Sequence, residues 1–63
     1  MAMKINDVVE VLRDVPELGL VAGDRGVVVC VFSGGAYEVE FSDVSGVTVA
    51  EVVLDESQMA LVS

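Results

Sequence analysis

A seven-residue segment, Gly-Ala-Tyr-Glu-Val-Glu-Phe, constrains the fold more than any other part of the chain. Tyr37, Val39 and Phe41 alternate with Glu38 and Glu40, which is the period-two pattern of a strand with one buried and one solvent-exposed face. The three aromatic residues of the chain lie within ten positions of one another, around a Ser-Gly-Gly turn. We therefore expect a central β-hairpin in which Tyr37 and Phe41 fill the core and the two glutamates face outward.

Strand and turn signals recur at short intervals along the rest of the chain. Five segments rich in valine or alternating in polarity predict strands at residues 7–13, 26–32, 36–42, 47–54 and 59–62. A long loop at residues 14–25 separates the first two strands, and residues 55–58 are typical of a single helical or 3₁₀ turn. This order predicts an all-β fold, a small five-stranded SH3-like barrel that forms one domain over residues 1–63.

Valine is too abundant for one small interior. Sixteen of the 63 residues are valine, and the second and fourth predicted strands are apolar on both faces. A barrel of this size has a single core, so the surplus predicts a second buried surface, formed with a protein partner. Self-association is the simplest form, because closed homo-oligomers are common. The candidate interface valines are Val27, Val29, Val31, Val47, Val49 and Val53.

Strict alternation assigns each residue of the second strand to one face. It places Val27, Val29 and Val31 together on one side, and Val28 and Cys30 on the other. A lone cysteine in an apolar run is typical of a small core residue in a reducing cytosol. No apolar run approaches the roughly 20 residues of a membrane span, and the first residues lack the apolar region of a signal peptide. We therefore expect a cytoplasmic protein with no membrane partner.

Acidic residues dominate the charge of the chain. Eleven aspartates and glutamates oppose three lysines and arginines, which gives a net charge of −8. Nucleic-acid binding depends on neutralising phosphates, so this balance argues against a nucleic-acid partner. The acidity either serves solubility alone or attracts a basic protein partner. The candidate acidic surface residues are Asp14, Glu17, Asp24, Glu38, Glu40 and Asp43.

No residue pattern predicts catalysis, a cofactor or a metal ion. The chain has no histidine to act as a base, and Cys30 has no cluster of cations beside it to activate the thiol. Glu38 and Glu40 share the open face of a strand rather than a desolvated pocket. Zinc is excluded by the number of ligands, and the glycine turns lack the lysine of a phosphate-binding loop. We expect a protein that is not an enzyme and binds no cofactor.

Five short motifs carry a family resemblance. They are Asp-Val-Val at residues 7–9, Asp-Val-Pro-Glu-x-Gly-Leu at 14–20, Gly-Asp-x-Gly-x-Val-Val at 23–29, the segment at 35–41, and Gly-x-Thr at 46–48. In these motifs the chain resembles a family of small bacterial proteins named DUF4926, a domain of unknown function. The resemblance implies no activity and no site residues. The Gly-Asp-x-Gly turn is also similar to turns in KOW-type domains, many of which bind RNA, although we interpret it here as structural.

The sequence leaves three functions open. The first is a non-enzymatic interaction or assembly module that is acidic and self-associates. The alternative is an antitoxin- or immunity-like protein that neutralises a basic effector, whose gene would then lie beside its own. The third is RNA binding of the KOW type, which predicts an affinity for RNA at low salt that declines steeply as salt rises.

Overall fold

The computed structural model describes residues 3–62 of the chain. Its strands are β1 (Val8–Val11), β2 (Arg25–Val31), β3 (Ala36–Ser42), β4 (Thr48–Asp55) and β5 (Met59–Leu61). Two three-residue 3₁₀ helices, Pro16–Leu18 and Glu56–Gln58, precede β2 and β5. The predicted domain of residues 1–63 extends beyond this described part by residues 1, 2 and 63.

The five strands form one antiparallel sheet in the order β4-β3-β2-β1-β5. The predicted all-β fold is therefore confirmed, with its meander of three consecutive strands and its long loop between β1 and β2. Within residues 3–62, β4 and β5 are the two edges and do not pair with each other. The sheet is an open one rather than a fully hydrogen-bonded barrel.

The link between β4 and β5 forces this open sheet to curl. In a flat sheet, strands about 4.8 Å apart would hold the two edges about 19 Å from each other. Only four residue steps join Asp55 at the end of β4 to Met59 at the start of β5, which span at most about 14 Å. The side chain of Asp55 accepts hydrogen bonds from the Ser57 N–H and hydroxyl, while Gln58 Oε1 accepts from the Asp55 N–H at 2.8 Å. This capping box fixes the tight connection.

One hydrophobic core fills the concave side of the curled sheet. Alternate residues of β3 point into it, so the predicted inward positions of Tyr37, Val39 and Phe41 are confirmed. Residues from the β1–β2 loop and from the segment before β1 complete it. The buried members are Met3, Val9, Val11, Val15, Leu20, Val28, Tyr37, Val39, Phe41, Leu54 and Met59.

Gly26 lets β2 and β3 pack closely at the centre of this core. It is buried on β2, and a Cβ atom added there would lie 2.7 Å from Val39 Cγ1 and 2.8 Å from the carbonyl oxygen of Glu40. Both separations are shorter than a carbon contact allows, and the oxygen belongs to the backbone of β3. The glycine is therefore required here for close approach, not for an unusual backbone angle.

The one phenol of the chain is buried with both of its hydrogen-bonding functions used. Tyr37 Oη accepts a hydrogen bond from the backbone N–H of Met3 at 3.2 Å and donates one to Glu56 Oε2 at 3.3 Å. A buried hydroxyl needs such partners because it loses its contacts with water. Tyr37 thereby ties the segment before β1 to the connection between β4 and β5.

A β-bulge in β2 overturns the strict alternation predicted for that strand. Val28 pairs with Val39, but the next pair along the ladder is Cys30 with Glu38, so Val29 is the extra residue. Directly opposed residues share a face of the sheet. Cys30 therefore lies on the outer face beside Glu38 and is only half-buried, which corrects its predicted place in the core.

The same bulge separates the three valines that were predicted to share one face. Val27 pairs with Glu40 on the outer face, Val29 is half-buried at the bulge, and Val31 pairs with Tyr37 in the register of the inner face. The prediction of a common face for these valines is wrong because the extra residue reverses the alternation beyond Val28.

Candidate interaction surface

Three carboxylates stand on the convex side of the sheet, on β3 and β4. Glu38 and Glu40 alternate with the buried residues of β3, and Glu51 occupies the equivalent outward position on β4. We call these three residues, Glu38, Glu40 and Glu51, the acidic face. The register places Glu40 directly opposite Glu51, and Glu38 directly opposite Val53.

The opposed pair of Glu40 and Glu51 is electrostatically unfavourable in the free protein. Directly opposite Cβ atoms in an antiparallel pair lie about 5 Å apart, and like charges at this spacing destabilise the sheet. The ion pair that the structure gives in residues 3–62 lies elsewhere: Arg25 Nε is 3.3 Å from Glu10 Oε1. A cation brought by a partner would relieve the repulsion on the acidic face.

Three of the predicted acidic surface residues have local structural tasks instead. Asp14 Oδ1 accepts a hydrogen bond from the Ala22 N–H at 2.8 Å, and Asp24 Oδ2 accepts one from the Val21 N–H at 3.0 Å, both within the β1–β2 loop. Asp24 thus makes the local backbone hydrogen bond that a structural role of the Gly-Asp-x-Gly turn predicts. Asp43 similarly organises the turn between β3 and β4.

Glu17 lies away from the acidic face. It is exposed on the first 3₁₀ helix and lines a depression of about 250 Å³ together with Arg13 and Ser57. Of the six predicted acidic surface residues, the structure thus brings only Glu38 and Glu40 together. Glu51 was not among the predicted acidic surface residues. Its position between Ala50 and Val52 in an alternating strand could have identified it as facing outward with them.

Local hydrogen bonds lower the pKa of two exposed aspartates below the usual value of 3.8. For Asp43 the main cause is the Ser45 hydroxyl, which donates to Oδ1 at 2.8 Å, followed by the Val47 N–H at 3.0 Å. For Asp55 it is the hydroxyl and then the N–H of Ser57. In both cases the hydrogen bonds favour the ionised carboxylate in the folded state.

We expect these two carboxylates to make folding stability depend on pH in the acid range. A folded-state pKa below the unfolded one contributes stability that is complete above 3.8 and is lost as pH falls through the folded value. The urea midpoint of the wild type should therefore fall between pH 5 and pH 2, and it should fall less in Asp43→Asn. Ser45→Ala, which removes the strongest donor to Asp43, should show an intermediate dependence. An unchanged pH profile in Asp43→Asn would contradict this origin.

The three most exposed valines lie at the hairpin that joins β3 to β4. Val44 is fully exposed in the turn, and Val47 and Val49 are 61% and 63% exposed. A second bulge, between the pairs Phe41–Ala50 and Ser42–Thr48, leaves Val49 as the extra residue of β4. We call Val44, Val47 and Val49 the valine tip. Val44 was not among the predicted interface residues because a turn residue carries no strand pattern.

The remaining predicted valines do not extend this tip. Val27 and Val53 lie on the convex side of the sheet, where they flank the carboxylates of Glu40 and Glu38. Val53 is 55% exposed, whereas Val27 is only 36% exposed. The surplus of valine therefore forms an exposed hairpin end and separate exposed positions elsewhere, not one continuous apolar face.

A groove of about 440 Å³ runs beside the first half of β4. The β1–β2 loop forms one wall with Leu18 and Leu20, and the other wall contains Phe41, Val49 and Ala50. Leu20 and Phe41 belong to the core, so the groove gives access to its edge. Asp24, Arg25 and Ser42 also line it, so this recess beside the exposed strand combines apolar and polar side chains.

Residues 3–62 contain neither a cluster of metal ligands nor a membrane-spanning helix. No group of three or more histidine, cysteine, aspartate or glutamate side chains is arranged to hold a metal ion. Neither of the short helices in this part of the chain has the length and apolar character needed to cross a membrane.

Comparison with known sequences places this sheet in a family. Residues 5–61 match the family described as Domain of unknown function (DUF4926). The chain belongs to the DUF4926 family. The match covers all five strands and both 3₁₀ helices, so the resemblance seen in five short motifs extends over the whole fold. Neither the curated proteins nor the solved structures provided a match.

Proposed function

We propose that this DUF4926 chain is a non-enzymatic protein–protein interaction module. The observation that carries the proposal is the valine tip, where three valines within six positions are each more than half exposed. A chain of 63 residues has little apolar surface to spare from its own core. Apolar side chains grouped at one exposed end are typical of a contact surface.

Self-association through the valine tip is the simplest form of this function. Light scattering coupled to gel filtration should give a mass of at least twice 6.6 kDa at micromolar concentration. The double variant Val44→Ser with Val47→Ser should shift the protein towards the monomer, because it removes apolar contact area without touching the core. Ile5→Ser is a matched control, since Ile5 is 57% exposed but lies before β1. A wild-type monomer would contradict self-association.

A second candidate is the neutralisation of a basic effector protein. The opposed carboxylates of Glu40 and Glu51 favour it, because a cationic partner would relieve their repulsion. The net charge of −8 would also speed association with such a partner. The product of a neighbouring gene, if it is basic, should bind the wild type in a salt-dependent manner and bind Glu51→Lys more weakly. A neighbourhood without a basic gene product would argue against this candidate.

A further inference from the structure

The outer edge of β4 has no strand beside it in the described part of the chain. This strand has eight residues, Thr48–Asp55, and pairs only with β3. Natural edge strands are usually shortened, or protected by charged side chains, proline or a bulge. Beyond the bulge at Val49, residues 50–55 contain no lysine or proline, and the charges there are the carboxylates of Glu51 and Asp55, which repel an acidic strand but attract a basic one. Such an edge is open to pairing with another chain.

The hydrogen-bond pattern identifies which backbone groups face this open edge. The Glu56 N–H donates to the Gly35 carbonyl at 2.9 Å, in register with the ladder between β3 and β4. Hydrogen-bonded and non-hydrogen-bonded pairs alternate along an antiparallel ladder. Val52 is therefore bonded to β3, whereas the N–H and C=O groups of Glu51 and Val53 point away from it.

An independent contact supports this assignment. Asp55 lies two residues after Val53 and four after Glu51. Because bonded and non-bonded positions alternate along the ladder, its N–H should also point away from β3. This N–H is the one that donates to Gln58 Oε1 at 2.8 Å. The second 3₁₀ helix thus occupies the end of the edge, and the N–H and C=O groups of Glu51 and Val53 remain directed outward.

We propose that β4 binds an extended basic segment of a partner protein, which adds to the sheet as a sixth, antiparallel strand. The inference rests on the proposed interaction with a basic partner and specifies its chemistry. Pairing with Glu51 and Val53 supplies the backbone hydrogen bonds, and the two faces of β4 determine the side chains that fit.

On the convex side, the added strand must carry cations. A residue paired with Glu51 projects its side chain beside that carboxylate, and Glu40 lies directly across β4 from it. A lysine or arginine there meets the negative charge of Glu51 and reduces its repulsion with Glu40. The position paired with Val53 lies on the same face, close to Glu38.

On the concave side, the added strand must carry apolar residues. Val52 and Ala50 pack against the core but are only partly buried, because no strand covers them on the outer edge. A side chain opposite Val52 completes this layer, and one near Ala50 can enter the groove beside Leu18. The segment that fits therefore alternates basic and apolar residues.

A second copy of the chain fits this edge less well than a basic segment. Antiparallel pairing of β4 with β4 would bring two Glu51 carboxylates onto one face of the sheet. Charge complementarity thus selects a partner of opposite sign.

A capped heptapeptide of alternating lysine and valine tests the proposal by titration into the ¹⁵N-labelled full chain. We expect the largest amide shifts at Glu51 and Val53, and slower hydrogen exchange of these two amides in the complex. In antiparallel pairing the lysine N–H groups face β4, so N-methylation of the lysines should weaken binding at least about tenfold. N-methylation of the valines, whose N–H groups face away from β4, should change the affinity less than about threefold.

Variants of the protein provide the matching controls. Val53→Pro removes an outward N–H that makes no bond to β3, so the sheet should survive and binding should fall about tenfold. Val53→Thr keeps the N–H and the branched shape, and should bind within about twofold of the wild type. If the proline variant fails to fold, the N-methylated peptides still show whether the peptide binds β4 through backbone hydrogen bonds.

Two outcomes overturn the proposal. In the first, lysine N-methylation does not change the affinity, and only the amides of Glu38 and Cys30 shift. The acidic face would then bind the peptide without strand addition, and the proposed interaction function would stand. If 1 mM peptide shifts no amide, the edge does not bind basic strands. Self-association of the valine tip, measured by light scattering, stands or fails independently of both results.

Discussion

Gly26→Ala should lower the free energy of unfolding by about 3 kcal/mol, at the upper end of what overpacking a core removes. The added Cβ would meet Val39 Cγ1 at 2.7 Å, the Glu40 carbonyl oxygen at 2.8 Å and Phe41 Cδ2 at 2.9 Å. The two side chains can turn, but the carbonyl moves only if β3 separates from β2. A domain of 63 residues has a total stability of about 3 to 9 kcal/mol, so urea unfolding should show a much earlier midpoint.

Two comparisons separate crowding from the loss of a glycine. Gly34 has φ +82° and open space around it, and asparagine adopts this backbone region, so Gly34→Asn should remove less than about 1 kcal/mol. Adding Val39→Ala to Gly26→Ala removes one of the three clashes, and the combined loss should be smaller than the sum of the single losses. Equal effects of Gly26→Ala and Gly34→Asn would show that close packing of β2 and β3 is not the cause.

Leu54→Ala should be the second severe substitution, with a loss of about 2 to 5 kcal/mol. Leu54 is fully buried on β4 and is the largest of the completely inaccessible side chains. Its truncation leaves a cavity in a core that has few residues with which to refill it. Circular dichroism and urea unfolding at 25 °C should reveal a protein that is partly unfolded before any denaturant is added.

The neighbouring residue provides the matched control for this substitution. Val53 is on the same strand but 55% exposed, so Val53→Ala should remove less than about 1 kcal/mol, mainly through lower β-propensity. If both variants unfolded at the same urea concentration, β4 would not contribute its inward face to the core as described.

The sequence was sufficient to predict the elements of this fold, because most signals were local. The alternation of β3 predicted Ala36–Ser42 without error in its bounds. The Asp-Glu-Ser-Gln segment carries its own capping box, which explains why the turn before β5 could also be identified. No end of the other strands differs from the prediction by more than two residues.

The two bulges could not be predicted from the sequence, and they decide which residues are exposed. A run of valines has the same pattern whether or not one residue is skipped, so nothing in Val27 to Val31 marks the extra Val29. The bulge at Val49 is hidden in the same way. The sequence therefore shows that the chain has more valine than its core needs, but it does not show which face each valine occupies. Val31, for example, was assigned to the same face as Val27 and Val29.

The acidic surface was predictable only in part, because an aspartate has two common uses on a loop. Asp14, Asp24 and Asp43 accept backbone hydrogen bonds within their loops, as short acidic side chains often do in turns. Glutamates on a strand have no such local partner within reach. Glu38 and Glu40 consequently form the surface, with Glu51 added by cross-strand register.

The pairing of β1 with β5 has a consequence for the order in which the chain folds. The hairpins from β2 to β4 join residues that are close in sequence, whereas Val9 and Leu61 meet from nearly opposite ends of the described chain. Closing a longer loop loses more conformational entropy, so non-local pairs form later. We expect the three-stranded meander to be present in the folding transition state and the β1–β5 ladder to form after it. The strand edge that we propose as a binding site would then exist before the domain is complete, available to a partner during folding itself.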